Sequence, residues 1–361
     1  MKRTDIRNVA IIAHIDHGKT TLVDGMLRQA GVFRAGQEVA ERVMDSNDLE
    51  RERGITIFSK NAAIQYKGIT LNIVDTPGHV DFSGEVERIL NMVDGALLLV
   101  DAFEGPMAQT RFVLKKALEA HLVPILVVNK VDRPDARLAA VVDEVLELFI
   151  DLEATDDQLS FPVVYASARQ QIASLDPKGP MTSLEPLFET ILQHVPTPEG
   201  DEHAPLQMQV NRLDYDDYIG RLALGRVVAG TIKAGDTVGY GALGEPLKTG
   251  KIQQVLGFSG LSRKQIPHAT VGDLIAVAGL PDVPLGGTIT DREQPRLLPG
   301  LGVEEPTLAM TFLVSDSPLA GSEGKYVTSR HLGDRLRREA ERDAALRVAG
   351  TDSTDAFDVC G

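Results

Sequence analysis

The sequence has very little cysteine and no long apolar run. Cys360 is the single cysteine among 361 residues, which excludes an intramolecular disulfide framework and a cysteine-based metal cluster and agrees with a reducing, cytoplasmic location. No apolar stretch reaches the ~20 residues that cross a bilayer, and the opening MKRTDIRN has no apolar segment behind it. We therefore expect neither a signal peptide nor a membrane partner.

Positive charge is also scarce. The net charge of −15 argues against a nucleic-acid partner, DNA included, because phosphate binding depends on Lys and Arg side chains that release counterions. The charge is uneven, since residues 1–204 carry a balance of −12 and residues 205–297 a balance of +1. The charge balance therefore does not exclude a local basic surface on residues 205–297.

The first domain is predicted to cover residues 1–200. The chain is longer than one hydrophobic core usually serves, and HVPTPEGDEHAP packs three prolines and three acidic residues into one joint near residue 200. Before this joint, helical patterns alternate with the strand-like runs NVAIIAH, ITLNIVD, GALLLVDA, VPILVVNK and FPVVYASA. This alternation predicts an α/β domain with a largely parallel sheet, which binds ligands at the carboxyl ends of its strands.

Two further units are predicted after that joint. Residues 201–303 hold short β-branched segments separated by glycines, such as YIGRLALGRVVAGTIKAGDTVGYG, which indicates a small antiparallel β-barrel. Residues 304–361 read as strand, helix, strand and strand. This is a ferredoxin-like α+β unit without its last helix and strand, so we expect the chain to stop within its third domain.

The stretch AHIDHGKTT, residues 13–21, lies where a buried strand ends and a helix begins. Backbone N–H groups and the helix dipole favour an anion there. The stretch fits the phosphate-binding pattern G-x-x-x-x-G-K-[ST], with Ala13 in place of the first glycine. Gly18 would let the backbone approach a phosphate, Lys19 would reach the β- and γ-phosphates, and the Thr20 hydroxyl would hold Mg²⁺.

Three more segments extend this chemistry. DTPGH follows a strand-like run and offers Asp75 to the Mg²⁺ shell and the Gly78 N–H to a γ-phosphate. NKVD follows another such run, and the Asp132 carboxylate can accept both N1–H and N2–H₂ of guanine, which adenine cannot supply. Asp132 therefore favours GTP over ATP. In YASAR the N–H of Ala168 could donate to guanine O6, although taken alone a plain strand end is the better explanation of these residues.

Between the phosphate loop and DTPGH lies RVMDSNDLERERGITI. A threonine in this interval, here Thr56, contacts Mg²⁺ and the γ-phosphate in GTPases. Four phosphate, metal and base motifs thus occur in the right order, three of them at strand ends. This order predicts that the first domain is a GTPase.

The same residues resemble a known family. AHIDHGKTT, ERGITI, DTPGH and NKVD followed by a barrel are typical of translational GTPases. RVMDSNDLERERGITI, DAFEGPMAQTRFV, NKVDRPDAR, LDYDDYIGRLALGR and SPLAGSEGKYVTSRHL resemble the TypA/BipA proteins, to the end of the chain. The resemblance implies an enzyme that hydrolyses GTP to GDP and phosphate. It also implies GTP-dependent binding to the rRNA and proteins of the ribosome, and a role in translation or ribosome assembly under stress.

The resemblance also implies a role for each matching residue, with GTP or GDP and Mg²⁺ as cofactors. His79 would orient the attacking water, and no arginine finger is evident, so slow intrinsic hydrolysis accelerated by the ribosome is expected. The implied contacts are phosphate at Asp16, His17, Gly18, Lys19, Thr20, Thr21 and Gly78; Mg²⁺ at Thr20, Thr56 and Asp75; and guanine at Asn129, Lys130, Asp132, Ser167 and Ala168.

Two alternatives stay open at this point. A LepA-type or elongation-factor-G-type GTPase would share these motifs but would be expected to differ in RVMDSNDLE and SPLAGSEGKY. A GTP-gated ribosome-binding module would bind nucleotide with negligible turnover. His79 favours the enzyme over the binding module.

Overall fold

The structure is a computed structural model that describes residues 2–32, 59–77, 83–216, 218–301, 308–322, 324, 326–342 and 346–361. Three of the predicted site residues, Thr56, Gly78 and His79, lie outside these ranges. Within them, no helix is long and apolar enough to cross a membrane. The domain boundaries near 200 and 303 stay predictions.

The first sheet has seven strands in the order β2-β3-β1-β4-β5-β6-β7. They are β1 (Ile6–Ala13), β2 (Lys60–Tyr66), β3 (Ile69–Asp75), β4 (Gly95–Asp101), β5 (Val123–Asn129), β6 (Val163–Ser167) and β7 (Ile172–Ser174). The pairs from β3 to β6 are parallel, whereas the edge strands β2 and β7 run antiparallel to their neighbours. The five strands expected from apolar runs are present, and β2 and β7 are additions.

Helices cover both faces of this sheet, as a parallel sheet requires. They are α1 (Lys19–Gln29), α2 (Ser83–Leu90), α3 (Ala108–Glu119), α4 (Leu138–Asp151), α5 (Asp156–Leu159) and α6 (Glu185–His194). Because alternate side chains of a strand point to opposite faces, Val9 and Ile11 pack with α1 and α6, while Ala10 and Ile12 pack with α2, α3 and α4. The sheet is therefore the centre of a three-layer domain.

A second, antiparallel unit follows. Its strands are β8 (Gln207–Asp216), β9 (Gly220–Ala229), β10 (Thr231–Lys233), β11 (Thr237–Gly241), β12 (Lys248–Lys251), β13 (Gln254–Ser259), β14 (Ser262–Gln265), β15 (His268–Thr270), β16 (Leu274–Ala278) and β17 (Thr288–Asp291). Eight form one sheet in the order β12-β11-β17-β8-β9-β16-β13-β14, and β10 pairs with β15. Val210 and Val227 of the large sheet share a core with Ile232 and Ala269 of the small one. This enclosure confirms the predicted barrel.

The third unit contains β18 (Ala309–Leu313), α7 (Ser329–Arg342), β19 (Arg347–Gly350) and β20 (Ala356–Cys360). The strands are antiparallel in the order β18-β20-β19. Gly333 allows α7 to approach the sheet, because a Cβ there would lie 2.7 Å from the Phe357 ring. One helix and three strands agree with the predicted incomplete ferredoxin-like unit.

Candidate nucleotide site

The predicted site lies at one edge of the seven-stranded sheet. Asp75, Asp101, Asn129 and Ser167 are the last residues of β3, β4, β5 and β6, and β1 ends just before the phosphate loop. These strands are parallel, so their carboxyl ends meet at the same edge, where α/β sheets bind ligands. The structure thus brings together the predicted residues that it describes.

The loop between β1 and α1 has the backbone that an anion site needs. Gly18 has φ +94°, which favours glycine, and a Cβ there would lie 2.5 Å from Asn129 Nδ2. Both the backbone conformation and the close approach of Asn129 therefore require glycine at this position. The first bond of α1 runs from the Leu22 N–H to the Gly18 carbonyl. The N–H groups of residues 18–21 therefore have no acceptor within the helix and can bind an anion.

Lys19 is held at the bottom of this loop. Its Nζ lies 2.8 Å from Asp75 Oδ1 and also donates to the Thr76 carbonyl oxygen. Lys19 is 8% exposed and Asp75 fully buried. An ion pair this well buried is weakly screened by salt, and its lysine is the cation nearest the start of α1. Thr20 is half-buried and Thr21 exposed in that first turn.

His17 is placed differently from the other loop residues. Its side chain is fully buried, with Nδ1 3.4 Å from the Leu99 carbonyl oxygen and Nε2 3.3 Å from a Glu104 carboxylate oxygen. Burial is the main cause that lowers its pKa, so the imidazole is neutral near pH 7. The backbone N–H of His17 donates to the His14 carbonyl oxygen. The imidazole therefore supports the loop from below rather than lining its open side, which leaves the predicted phosphate contact of His17 without a visible donor.

Asn129 connects three segments of the site. Its Nδ2 donates to the His17 carbonyl oxygen at 2.8 Å, and its Oδ1 accepts from the Ala168 N–H at 2.9 Å. Guanine O6 would therefore have to share or replace the second bond to contact Ala168. Ser167 is buried and its hydroxyl accepts from the Gln170 N–H at 3.3 Å. The guanine contacts predicted for these residues stay predictions.

Removing this connection is expected to destabilise the first domain. Asn129→Ala leaves the buried Ala168 N–H and the His17 carbonyl without their partner, which should lower the free energy of unfolding by about 2–5 kcal/mol. Urea unfolding measures this loss. Asn91→Ala is the matched control, because its amide donates to the Glu87 carbonyl on the surface. Equal losses in both variants would show that the buried connection adds nothing.

The remaining residues predicted to contact guanine lie on the loop after β5. Lys130 adopts φ +63°, and its Nζ lies 2.7 Å from the buried Asp101 Oδ2. Burial alone would raise the pKa of Asp101, but hydrogen bonds from Lys130 and from the N–H groups of residues 103 and 104 hold that pKa below its ordinary value. Asp132 is exposed and has no hydrogen bond or ion pair with any residue in the described ranges. Its carboxylate is thus available to a ligand.

Sequence reasoning missed Asp101. It ends β4 as Asp75 ends β3, and the run GALLLVD resembles LNIVD in closing on an aspartate. An apolar run that ends on an aspartate is therefore a signal that could have identified Asp101. Asp101 also accepts from the Phe103 N–H at 2.7 Å, so it orders the β4–α3 loop and anchors Lys130.

The residues at this edge fit a nucleotide with Mg²⁺. Both carboxylate oxygens of Asp75 are buried, and neither accepts a hydrogen bond of good geometry from the described residues. Those residues contain no cluster of three or more His, Cys, Asp or Glu side chains that could hold a metal. Mg²⁺ needs none, because it is usually held by one or two protein oxygens together with substrate phosphates and water. Thr20 and Asp75 supply such oxygens.

Comparison with known proteins defines the class. The family model of the elongation factor Tu GTP binding domain matches residues 4–197, and that of elongation factor Tu domain 2 matches residues 220–290. A crystal structure from Thermus thermophilus superposes on 99% of this chain and 64% of its own with a TM-score of 0.72 at 20% identity, a likeness of fold alone. Fold and site therefore define a protein of the translation-factor class with an elongation factor Tu-type GTP binding domain.

Sequence relatives narrow this class. Proteins named large ribosomal subunit assembly factor BipA match 99% of this chain, with 56% identity for Bacillus subtilis strain 168, 55% for Synechocystis and 51% for Escherichia coli K12. The chain belongs to the TypA/BipA family of translational GTPases. It spans 59 to 60% of the length of these relatives.

Proposed function

We propose that this chain binds GTP and GDP with Mg²⁺, hydrolyses GTP, and acts on the ribosome in the cytoplasm. The observation that carries the proposal is the buried pair of Lys19 and Asp75 beside a loop whose N–H groups, in residues 18–21, have no acceptor within α1. The exposed Asp132 adds the selectivity for guanine. The names of the relatives support a role in assembly of the large ribosomal subunit, through GTP-dependent contacts with rRNA and ribosomal proteins.

Each residue has a proposed task. The N–H groups of Asp16 and of residues 18–21 and the Lys19 ammonium bind the phosphates, and the Gly78 N–H binds the γ-phosphate. Asp132 accepts from the guanine N–H groups. The other proposed guanine contacts are Asn129, Lys130, Ser167 and Ala168.

The metal would be held by Thr20 and Thr56, with Asp75 close by. When bound, Mg²⁺ supplies positive charge that offsets the charge of the β- and γ-phosphate oxygens. The chain's own residues would hold the nucleotide in place and aim the attacking water. We assign this last role to His79.

Nucleotide binding and turnover, measured with and without ribosomes, test the proposal. We expect Mg²⁺-dependent binding of GTP and GDP, no competition by ATP, and turnover that ribosomes accelerate. The full-length Bacillus subtilis relative is the positive control. Binding of ATP and GTP with equal affinity would contradict the assignment, and binding without any turnover would favour the nucleotide-gated module.

His79→Ala separates these two functions. Affinity for GTP should be nearly unchanged, because the proposed phosphate and base contacts come from other residues. Ribosome-stimulated turnover should fall about 10²–10³-fold, the usual loss for a group that stabilises the transition state. Single-turnover hydrolysis of GTP measures the loss, and His121→Ala, which changes a histidine outside the site, is the control. Wild-type turnover in the His79 variant would remove its catalytic role.

A further inference from the structure

The loop after β5 carries Asp132 in a tight turn. The Arg133 N–H donates to the Lys130 carbonyl oxygen at 3.1 Å, which closes a four-residue turn over residues 130–133. Asp132 is the third residue of this turn, and it is exposed. The direction of its carboxylate therefore depends on how the two ends of the turn are held.

The turn has an uncommon backbone conformation at its first residue. Lys130 has φ +63°, in the left-handed region that residues other than glycine seldom adopt. A conformation of this kind persists where surrounding contacts fix it. One side chain from a neighbouring strand supplies such contacts.

Asp101 contacts both ends of the turn. Its Oδ2 lies 2.7 Å from Lys130 Nζ and 3.5 Å from a guanidinium nitrogen of Arg133. The Arg133 guanidinium also lies over the Phe103 ring, with its carbon 4.8 Å from the ring centroid. One carboxylate oxygen thus pairs with the side chains of the first and last residues of the turn.

Asp101 itself is held firmly. It is fully buried and ends β4, where it pairs with Asn129 in the parallel register of β4 and β5. Its other oxygen, Oδ1, accepts from the N–H groups of Phe103 and Glu104 at 2.7 Å and 3.2 Å. The two oxygens therefore have separate partners, since the backbone after β4 binds one and the turn binds the other.

The loop after Asp101 also contacts the phosphate loop. A Glu104 carboxylate oxygen lies 3.3 Å from His17 Nε2, and His17 Nδ1 lies 3.4 Å from the carbonyl oxygen of Leu99 in β4. The end of β4 is therefore fixed relative to the phosphate loop on one side and to the turn that carries Asp132 on the other.

We propose that Asp101 is a positioning residue for guanine recognition, which aligns the Asp132 carboxylate by holding both ends of its turn. The inference rests on the proposed function, in which Asp132 accepts from N1–H and N2–H₂ of guanine. Because Asp101 is fully buried, it acts on the base through the turn and not by direct contact. Hypoxanthine, the base of inosine diphosphate, has N1–H but no N2 amino group, so the preference for GDP over inosine diphosphate measures the alignment of Asp132.

Two aspartate variants of this chain test the proposal. Asp101→Asn keeps an oxygen for the backbone N–H groups after β4 but places an NH₂ donor against the two cations of the turn. Asp94→Asn is the matched control, because Asp94 directly precedes β4 and its Oδ1 lies 2.7 Å from a guanidinium nitrogen of Arg226. It thus loses a similar ion pair at the opposite edge of the sheet. Calorimetric titration with Mg²⁺ measures the affinities for GDP and inosine diphosphate, neither of which has a γ-phosphate.

We expect Asp101→Asn to lower the preference for GDP over inosine diphosphate about tenfold, the size of a weak hydrogen bond to a charged group, whereas Asp94→Asn should leave it within about twofold. Xanthosine diphosphate should not become a ligand of Asp101→Asn, because Asp101 does not contact the base in the proposed complex. Lys130→Met removes the ammonium but keeps a side chain of similar length, so it should lower the same preference. It decides the question if Asp101→Asn does not fold.

An unchanged preference for GDP in folded Asp101→Asn, or in Lys130→Met where the first variant does not fold, would overturn the inference. So would an equal fall in the Asp101 and Asp94 variants, because lost stability alone would then explain it. Binding of xanthosine diphosphate by Asp101→Asn would show that Asp101 contacts the base and would also overturn it. A wild-type chain that binds GDP no better than inosine diphosphate would instead contradict the proposed function.

Discussion

Lys19→Ala should reduce the affinity for GTP and GDP by about 10²–10³-fold. Truncating one partner of a buried, hydrogen-bonded charge pair typically costs about 2–5 kcal/mol of binding, and Lys19 is the buried cation at the start of α1. Both nucleotides should be affected, because both place a β-phosphate there. Fluorescent nucleotide titration at fixed Mg²⁺ measures the two affinities.

Two other variants complete this test. Thr20→Ala should weaken binding less and shift it to higher Mg²⁺ concentration, because the hydroxyl is the proposed metal ligand. Lys67→Ala is the control for loss of a lysine, since Lys67 pairs with Glu189 on the surface. Wild-type affinity in both the Lys19 and Thr20 variants would contradict the phosphate site.

The Lys19 variant also changes stability, and this effect can be separated from binding. Without Lys19, the Asp75 carboxylate stays buried beside no cation in the described part of the chain, at a cost on the order of 3 kcal/mol. Adding Asp75→Asn removes the unpaired charge. The double variant should therefore regain stability but not affinity. Recovery of both would mean that Lys19 acts only through folding.

The sequence predicted where the candidate site residues lie whenever they belong to one local segment. Gly18, Lys19 and Thr20 stand together in one loop, and Asp75 directly ends an apolar run, so strand periodicity places them at the carboxyl edge. The order of the strands did not need to be known, because all parallel strands end at the same edge. The edge strands β2 and β7 escaped prediction, since KNAAIQY and IAS have no long apolar run.

Contacts between distant segments could not be predicted. Asn129 was expected to face guanine, and nothing local shows that its amide also joins the His17 carbonyl to the Ala168 N–H. His17 stands in a phosphate motif, but whether its ring points to solvent or into the protein depends on packing against β4. The pairing of β8 with β9 contains a β-bulge at Asn211, and its position depends on both strands, which the alternation of a single strand does not show.

Asp132→Asn should have the largest effect on specificity. The carboxylate is exposed, it forms no hydrogen bond or ion pair with the described parts of the chain, and it follows β5 at the edge that carries the phosphate loop. Two guanine N–H groups donate to it in the proposed complex. Each hydrogen bond to a charged group contributes about 1.5–3 kcal/mol, so GTP and GDP should both bind about 10²–10⁴-fold more weakly.

The same variant should gain a new ligand. The amide introduced by Asp132→Asn can donate to the C2 carbonyl of xanthine where aspartate could only accept, so xanthosine triphosphate should become the preferred nucleotide. Asp135→Asn is the matched control, because Asp135 lies on the same loop and pairs with Arg133 at 2.9 Å instead of facing a ligand. Competition titrations with GTP and xanthosine triphosphate measure the exchange. If Asp132→Asn keeps the preference for GTP, or if Asp135→Asn changes it equally, then Asp132 does not read the base, and the selectivity for guanine must come from the backbone and amide groups around Asn129 and Ala168.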